Sequence, residues 1–293
     1  MSRIETGIFG LDQIIEGGFR DNAAIVVVGS AGTGKTTFAI QFLMHGIDKG
    51  EQGLYVTMEE SPDQIMREAE MMGWDMRKHY EKSLFFIHLK GKNFKKMVEE
   101  QLPQLVKARS DYDIKTRVVI DPMTPVIWAT EDKLQQRELI GKLFYTLKEL
   151  GVCVSTVEEH SRPGETIGED VLLPIYLADG VLHLEYHPIG GAFNRTLKIV
   201  KMRGTHHGEG VYPYIFARGA GAIIRAAPVE ASVEEASNYD QVFDEAIKTA
   251  EFIKAPDYVK TRLKTMKEFW TYNYSPEEAL QIVFDSYRLG TEG

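Results

Sequence analysis

Over its first two-thirds the chain alternates short apolar runs with amphipathic stretches. Residues 24–28 form a β-rich apolar run, which predicts a buried strand. A glycine-rich turn follows, and then Phe38, Ala39, Phe42, Leu43 and Ile47 recur at helical spacing. Residues 54–58 predict a second strand, and a helix is expected from Pro62 to about Met72, closed by Gly73. Residues 84–88 and 118–120 are the third and fourth strand candidates. A polar helix is expected over about 132–150, stopping at Gly151, with a further strand over 152–157. This βαβα order predicts an α/β fold with a mostly parallel sheet covered by helices.

The pattern changes near Val171. Residues 181–185, 195–200 and 212–216 read as strands with no helix between them, and are expected to extend the sheet by antiparallel pairing. It changes again near Pro228, after which nearly everything reads helical. Ser275, Pro276 and Glu278 supply an N-cap, a first-turn proline and a capping-box acid. The expected organisation is one large domain over 1–228 and a small helical extension over 229–293.

Composition narrows the class. Of 293 residues, 43% are hydrophobic and 26% charged, enough apolar material for a core and too much for a disordered chain. Cys153 is the single cysteine, so no disulfide framework exists. No apolar run approaches the ~20 residues that span a bilayer, and residues 1–5 lack the layout of a signal peptide. A cytoplasmic protein without membrane insertion is expected. With 34 Lys+Arg against 43 Asp+Glu, the net charge of −9 argues against a chain that coats nucleic acid.

The strongest chemical signal is Gly29-Ser30-Ala31-Gly32-Thr33-Gly34-Lys35-Thr36, with Thr37 next, a full match to G-x-x-x-x-G-K-S/T. A strand precedes it and a helix follows, as the chemistry requires. Glycines let the backbone wrap phosphates, and the helix N-terminus aims N–H groups at them. Lys35 would neutralise the β and γ phosphates, and Thr36 would place its hydroxyl on Mg²⁺. Val118-Val119-Ile120-Asp121 ends an apolar strand in a carboxylate at the sheet edge where α/β folds bind ligands, a second metal-directed group. Glu59 and Glu60, after the second strand, either orient and deprotonate an attacking water or cap the helix beginning near Pro62.

Several motifs occur together and in order: residues 6–12 (Thr-Gly-Ile-Phe-Gly-Leu-Asp), Gly17-Gly18, the phosphate loop, residues 54–61, Gly73-Trp74-Asp75 and residues 198–207. The last run, with Lys201, Arg203, Gly204, Thr205 and His207, fits a K-x-R-G-S/T-x-H signature. Over roughly residues 1–225 the chain resembles the KaiC-type branch of the RecA-like ATPases. The resemblance implies a RecA-like P-loop domain that binds and hydrolyses ATP with Mg²⁺, assembled as a homo-oligomeric ring, usually a hexamer, with ATP between subunits. It implies a catalytic role for Glu59 and Glu60. Lys201 and Arg203 become cations reaching the neighbour's phosphates, and His207 lies near the neighbour's nucleotide. A regulatory or signalling role fits such a protein.

Departures from the family pattern also stand out. There is one phosphate loop, where clock members have two domains. Leu177-Ala178-Asp179 stands where the clock proteins carry a phosphorylated Ser-Thr pair. Glu209 replaces a common Lys, Arg117 an apolar residue and Pro122 a Ser. Among remaining features, His206, His207 and Glu209 fit no common zinc spacing. Glu158, Glu159 and His160 read as a polar loop start, Cys153 as a buried thiol, and Trp74, Trp128 and Trp270 as packing anchors. Lys260, Arg262, Lys264 and Lys267 read as a solvated helix face. Ala279, Leu280, Val283, Phe284 and Tyr287 form a helix stripe expected to pack on the core or on a neighbouring subunit; left exposed it would be a docking site, which makes residues 232–293 the candidate surface for a protein partner. Two rival functions remain: an ATP-gated scaffold that does not hydrolyse, and a recombinase-like DNA-repair paralogue.

Overall fold

The computed structural model describes residues 2–89, 94–109, 115–128, 130, 132–159, 171–186, 195–226, 233–255 and 257–269. The chain opens with a two-stranded ribbon, β1 (Arg3–Ile4) and β2 (Phe19–Arg20), paired antiparallel. The core begins with β3 (Ala24–Gly29), α1 (Lys35–Asp48), β4 (Gln52–Thr57), α2 (Pro62–Met72) and β5 (Leu84–His88). A helical stretch follows as α3 (Phe94–Lys96), a π-helical turn (Met97–Gln101) and α4 (Leu102–Arg109). Next come β6 (Thr116–Asp121), α5 (Thr124–Ile127), α6 (Lys133–Lys148), β7 (Cys153–Glu158), α7 (Leu172–Leu177) and β8 (Gly180–Tyr186). The chain continues with β9 (Arg195–Met202), β10 (Val211–Ala217), β11 (Gly221–Ile224), α8 (Val233–Phe252) and α9 (Asp257–Phe269).

Nine strands form one sheet in the order β11-β10-β9-β8-β3-β7-β6-β4-β5. Strands β3, β4, β5, β6, β7 and β8 run parallel, and β9 to β11 add antiparallel pairs. The α/β class with its antiparallel extension is as expected, with one correction. β8 is a parallel strand, beside β3, and the change of direction comes at β8–β9. The reason is α7, a six-residue helix that closes a crossover between β7 and β8.

The sheet is buried on both faces, which is why β3 is buried at all six of its positions. On one face α1 and α2 pack Phe38, Phe42, Ile65 and Met66 against Ile25, Val27, Tyr55 and Val119. On the other, Val26, Val28, Leu54, Val118 and Ile120 meet Phe94, Met97, Ile140 and Phe144. Cys153 is buried here as expected, and burial pushes its thiol up to about 12, which makes it inert. Helix ends follow their local chemistry. Ser61 caps α2 by accepting from the Gln64 N–H at 3.3 Å, and Gly73 closes it at φ 93°. Asp132 caps α6 through the N–H groups of Leu134 and Gln135.

The α8–α9 pair lies on the β10–β11 hairpin. Phe243, Ala246, Ala250, Val259 and Leu263 share a cluster with Ala217, Ala220 and Ile223. On this helix pair Lys260 pairs with Asp257 and Lys267 with Asp244, and Lys264 is exposed. Trp74 packs against the core, whereas Trp128 is a correction: it is 55% exposed at the end of α5 rather than a packing anchor. Trp270, His160, the capping sequence at Ser275 and the stripe at 279–287 lie outside the described residues. No helix among the described residues is long and apolar enough to cross a membrane.

Candidate nucleotide-binding site

The glycine-rich loop runs from the C-terminal end of β3 into the first turn of α1. Gly32 and Gly34 hold φ of 79° and 87°, a region costly for other residues. Space is equally restrictive. A Cβ on Gly34 would stand 2.1 Å from the Phe216 ring, and one on Gly29 would stand 2.4 Å from the Leu184 carbonyl oxygen. The loop is tied from within and from beside. Thr33 Oγ1 donates to Ser30 O at 2.9 Å. The buried Tyr214 hydroxyl donates to Thr33 O at 2.6 Å. Ser30, Ala31 and Gly32 are exposed, and Lys35, Thr36 and Thr37 are half-buried at the start of α1. Lys35 Nζ donates to Ser30 O at 2.9 Å. Burial holds its pKa below the ordinary lysine value, against the opposing pull of Glu158, Asp121 and Glu159.

Asp121 is the last residue of β6 and lies on the same face of the sheet as Val119 and α1. Both carboxylate oxygens are held by hydroxyls. Tyr55 on β4 donates to Oδ2 at 2.5 Å, and Thr156 on β7 donates to Oδ1. Burial, reinforced by Asp121, pushes the Tyr55 hydroxyl pKa well up, so it stays a donor. Glu59 and Glu60 follow β4 and are exposed. Ser61 provides the side-chain cap of α2, and Thr57 Oγ1 donates to the Glu60 carbonyl at 2.7 Å, fixing the turn. Partial burial, then Glu158 and Asp121, raise the Glu59 carboxyl; burial, then Glu68, Asp121 and Glu59, raise that of Glu60. Asp121, Glu59, Glu60 and Glu158 therefore share one electrostatic field, beside the loop and Lys35. Carboxylates with the Thr36 hydroxyl are the hard oxygen donors that suit Mg²⁺, and the glycine cradle suits phosphate.

Lys201, Arg203 and His207 are not brought to this loop. Lys201 pairs with Val181 on β8, which pairs with Val26, whereas Gly29 pairs with Leu184 at the far end. Three β3 residues separate the two levels, about 10 Å at 3.3 Å per residue. Arg203 lies two residues further away, its N–H bonded to Asp179 O at 2.8 Å. Both cations end on the last turn of α7. Lys201 Nζ donates to Ile175 O at 2.6 Å, and Arg203 Nη2 to Tyr176 O at 3.0 Å. Burial, then Arg203, lowers the Lys201 pKa. His207 is half-buried in the loop after β9, its Nδ1 3.1 Å from Gly208 O. His206 and Glu209 are exposed.

Sequence reasoning missed several neighbours of the loop. Arg195 Nη2 donates to Gly32 O at 3.3 Å, and its guanidinium lies 5.1 Å from the Tyr186 ring centre and 5.6 Å from that of Phe216. Glu159, read as a polar loop start, is buried. Its Oε2 stands 2.7 Å from His183 Nε2, and its Oε1 has no hydrogen-bond partner among the described residues. Tyr55, Thr156 and Tyr214 also carried no signal, because each acts from a neighbouring strand.

A phosphate loop between the central strand and the first helix, with a clamped aspartate at the edge of a parallel sheet, defines a P-loop nucleotide-binding domain. Comparisons with known proteins narrow that class. The family model described as "ATPase: KaiC" matches residues 4–228, and the chain belongs to that family. A UPF0273 protein of Methanopyrus kandleri is 29% identical, covering 83% of this chain and 99% of its own length. The circadian clock oscillator protein KaiC of Thermosynechococcus vestitus is 33% identical over 75% of this chain and 43% of its own. The crystal structure of a KaiC-like protein from Pyrococcus horikoshii superposes with a TM-score of 0.63, at 29% identity, over 76% of this chain and 98% of that one. The chain is a KaiC-like, single-domain member with one phosphate loop, and its family supports ATP binding.

Proposed function

We propose that this protein hydrolyses ATP with Mg²⁺ at sites shared between neighbouring copies in a ring, and serves a regulatory role in the cytoplasm. One observation carries the reading. The phosphate loop, Asp121 and the glutamates lie at one edge of the sheet, while Lys201 and Arg203 sit deeper in it, beyond reach of their own loop. Cations so placed serve a nucleotide only if it belongs to another copy.

In this reading Gly29, Ser30, Ala31, Gly32, Thr33 and Gly34 cradle the phosphates with backbone N–H groups, and Lys35 neutralises charge on the β and γ groups. Thr36 and Asp121 hold Mg²⁺, which when bound neutralises charge on the transferring phosphoryl group. Thr37, next on α1, contacts the bound nucleotide beside them. Glu59 and Glu60 orient the water, and their raised pKa values favour accepting its proton. Arg195 with Tyr186 and Phe216 gives a flat cationic and aromatic surface beside the loop, suited to a purine ring. Lys201, Arg203 and His207 complete the site from the next subunit.

Subunit mixing tests this reading. Lys35→Ala alone and Lys201→Ala with Arg203→Ala alone should each release phosphate at background rate. Mixed together they should regain a measurable fraction of parent activity, because some interfaces then hold an intact loop facing intact cations. Failure of the mixture to regain activity, with both variants assembled by light scattering, rejects shared sites. Glu59→Gln with Glu60→Gln should bind ATP and release phosphate at least ~100-fold more slowly; parent-rate turnover would remove their catalytic assignment.

A further inference from the structure

The helices beyond residue 228 lie outside the stretch matched by the family model, yet they are built onto the phosphate loop by a single strand. Side chains on β10 alternate between the two faces of the sheet. Tyr214 and Phe216 point at the loop: the hydroxyl of Tyr214 holds Thr33 O at 2.6 Å, and the ring of Phe216 lies against Gly34. Ile215 and Ala217 point the other way, into the cluster formed with Phe243, Ala246 and Ala250 of α8. No residue intervenes between the two sets. A second tie joins the same hairpin to α1. Gln41, buried on α1, donates through Nε2 to Ala220 O at 2.9 Å and accepts at Oε1 from the Ala222 N–H at 2.6 Å. The hairpin is thus fastened to the loop and its helix on one face, and to the extension on the other.

We infer that Tyr214 is a positioning residue of the phosphate loop, and that through it the docked α8–α9 pair favours nucleotide binding. This rests on the nucleotide-binding reading above. The physical reason is preorganisation. With α8 seated on Ile215 and Ala217, β10 is pressed from behind, and Tyr214 and Phe216 hold Thr33 and Gly34 in the conformation that receives phosphate. With α8 lifted, β10 gains freedom, and the loop must be ordered at the expense of binding. Coupling of this kind is reciprocal, so nucleotide must in turn stabilise the seated helices.

The test uses the full chain with Mg-ATP as the probe. Hydrogen–deuterium exchange should slow at least about 3-fold in peptides covering residues 241–263 on saturation with Mg-ATP, alongside protection of the loop itself. Tyr214→Phe removes one neutral hydrogen bond and should weaken ATP binding roughly 2- to 10-fold, while largely abolishing the response of 241–263. Phe243→Ala, which loosens α8, should weaken ATP binding several-fold in the parent and hardly at all in the Tyr214→Phe background. A purely structural role for Tyr214 would leave the two effects multiplicative. Loop protection without any change in 241–263, or multiplicative effects, overturns the inference. Absence of ATP binding in the parent would overturn the nucleotide reading itself, and this inference with it. The exchange measurement on the parent chain does not depend on either variant folding.

Discussion

Replacing Glu51 tests how the start of β6 is secured. Arg117, at the second position of that strand, is 2% exposed and is paired with Glu51, which is 18% exposed. Its Nε donates to Glu51 Oε2 at 2.6 Å and its Nη2 to Oε1 at 3.4 Å. Its Nη1 donates to Phe42 O at 2.9 Å, and its guanidinium lies 4.7 Å over the Phe42 ring. Gly46 makes the space, since a Cβ there would stand 2.2 Å from Arg117 Nε. Glu51→Ala leaves a buried guanidinium with one carbonyl and one ring face. Stranding a charge in a fully buried pair costs about 3–5 kcal/mol. Because Glu51 retains some exposure, water can enter the vacated space, which reduces the expected loss to about 2–3 kcal/mol. Urea unfolding of the nucleotide-free protein, followed by circular dichroism, would read it as a fall in midpoint without a change in slope. Arg117→Met in the same background should recover at least ~1 kcal/mol by removing the stranded charge. A Glu51→Ala loss below ~0.5 kcal/mol, or a double variant weaker than Glu51→Ala, would refute the reasoning.

Three further expectations concern the site and its supports. Lys35→Ala should lower ATP affinity by at least about tenfold, as loss of a charge-assisted contact worth ~1.5–3 kcal/mol requires, in an equilibrium binding assay; unchanged affinity would remove Lys35 from the phosphate site. With both Glu59 and Glu60 raised, the acid limb of the turnover profile should lie above the ordinary glutamate value of about 4.3. Activity should fall as acidification protonates them, and full activity at pH 4.5 would count against their role as base. Asp179 accepts from the Ala24 N–H at 2.9 Å and from Lys148 at 2.7 Å. Burial alone would raise its carboxyl, but these bonds and nearby Arg203 hold it low. Its contribution is therefore present above the ordinary aspartate pKa and is lost as pH falls through the depressed one. Asp179→Ala should cost ~1 kcal/mol near neutrality, with the difference from the parent vanishing in acid; a pH-independent difference would contradict this.

The parts of the fold legible in the sequence are those written locally. Residues 24–28, the glycine spacing at 29–36 and the apolar run into Asp121 each carry their meaning within a few positions: the first form the central strand, the second follows its C-terminal end, and the third is β6. The direction of β8 was not legible, because α7 is only six residues long and too short to show a helical period. Arg117 read as a departure in an apolar run because its partner Glu51 is 66 positions away. The supports of the site were hidden for the same reason. Tyr55, Thr156 and Tyr214 touch Asp121 and Thr33 across strands, at separations no spacing rule spans. Trp128 was misread because large aromatic residues usually pack, and its 55% exposure depends on where α5 ends.

The seat of α8 on the last hairpin bears on how this protein can be cut. The family model stops at residue 228, and a fragment stopped there would hold the whole of the matched domain. Physically it would present Ala217, Ala220 and Ile223 to water, at the flank of a sheet whose terminal strand is β11. An apolar sheet face uncovered in this way invites self-association. The end of the matched domain and the limit of a well-behaved fragment therefore fall at different residues, and the second lies at or beyond Leu263, the last described side chain in that cluster.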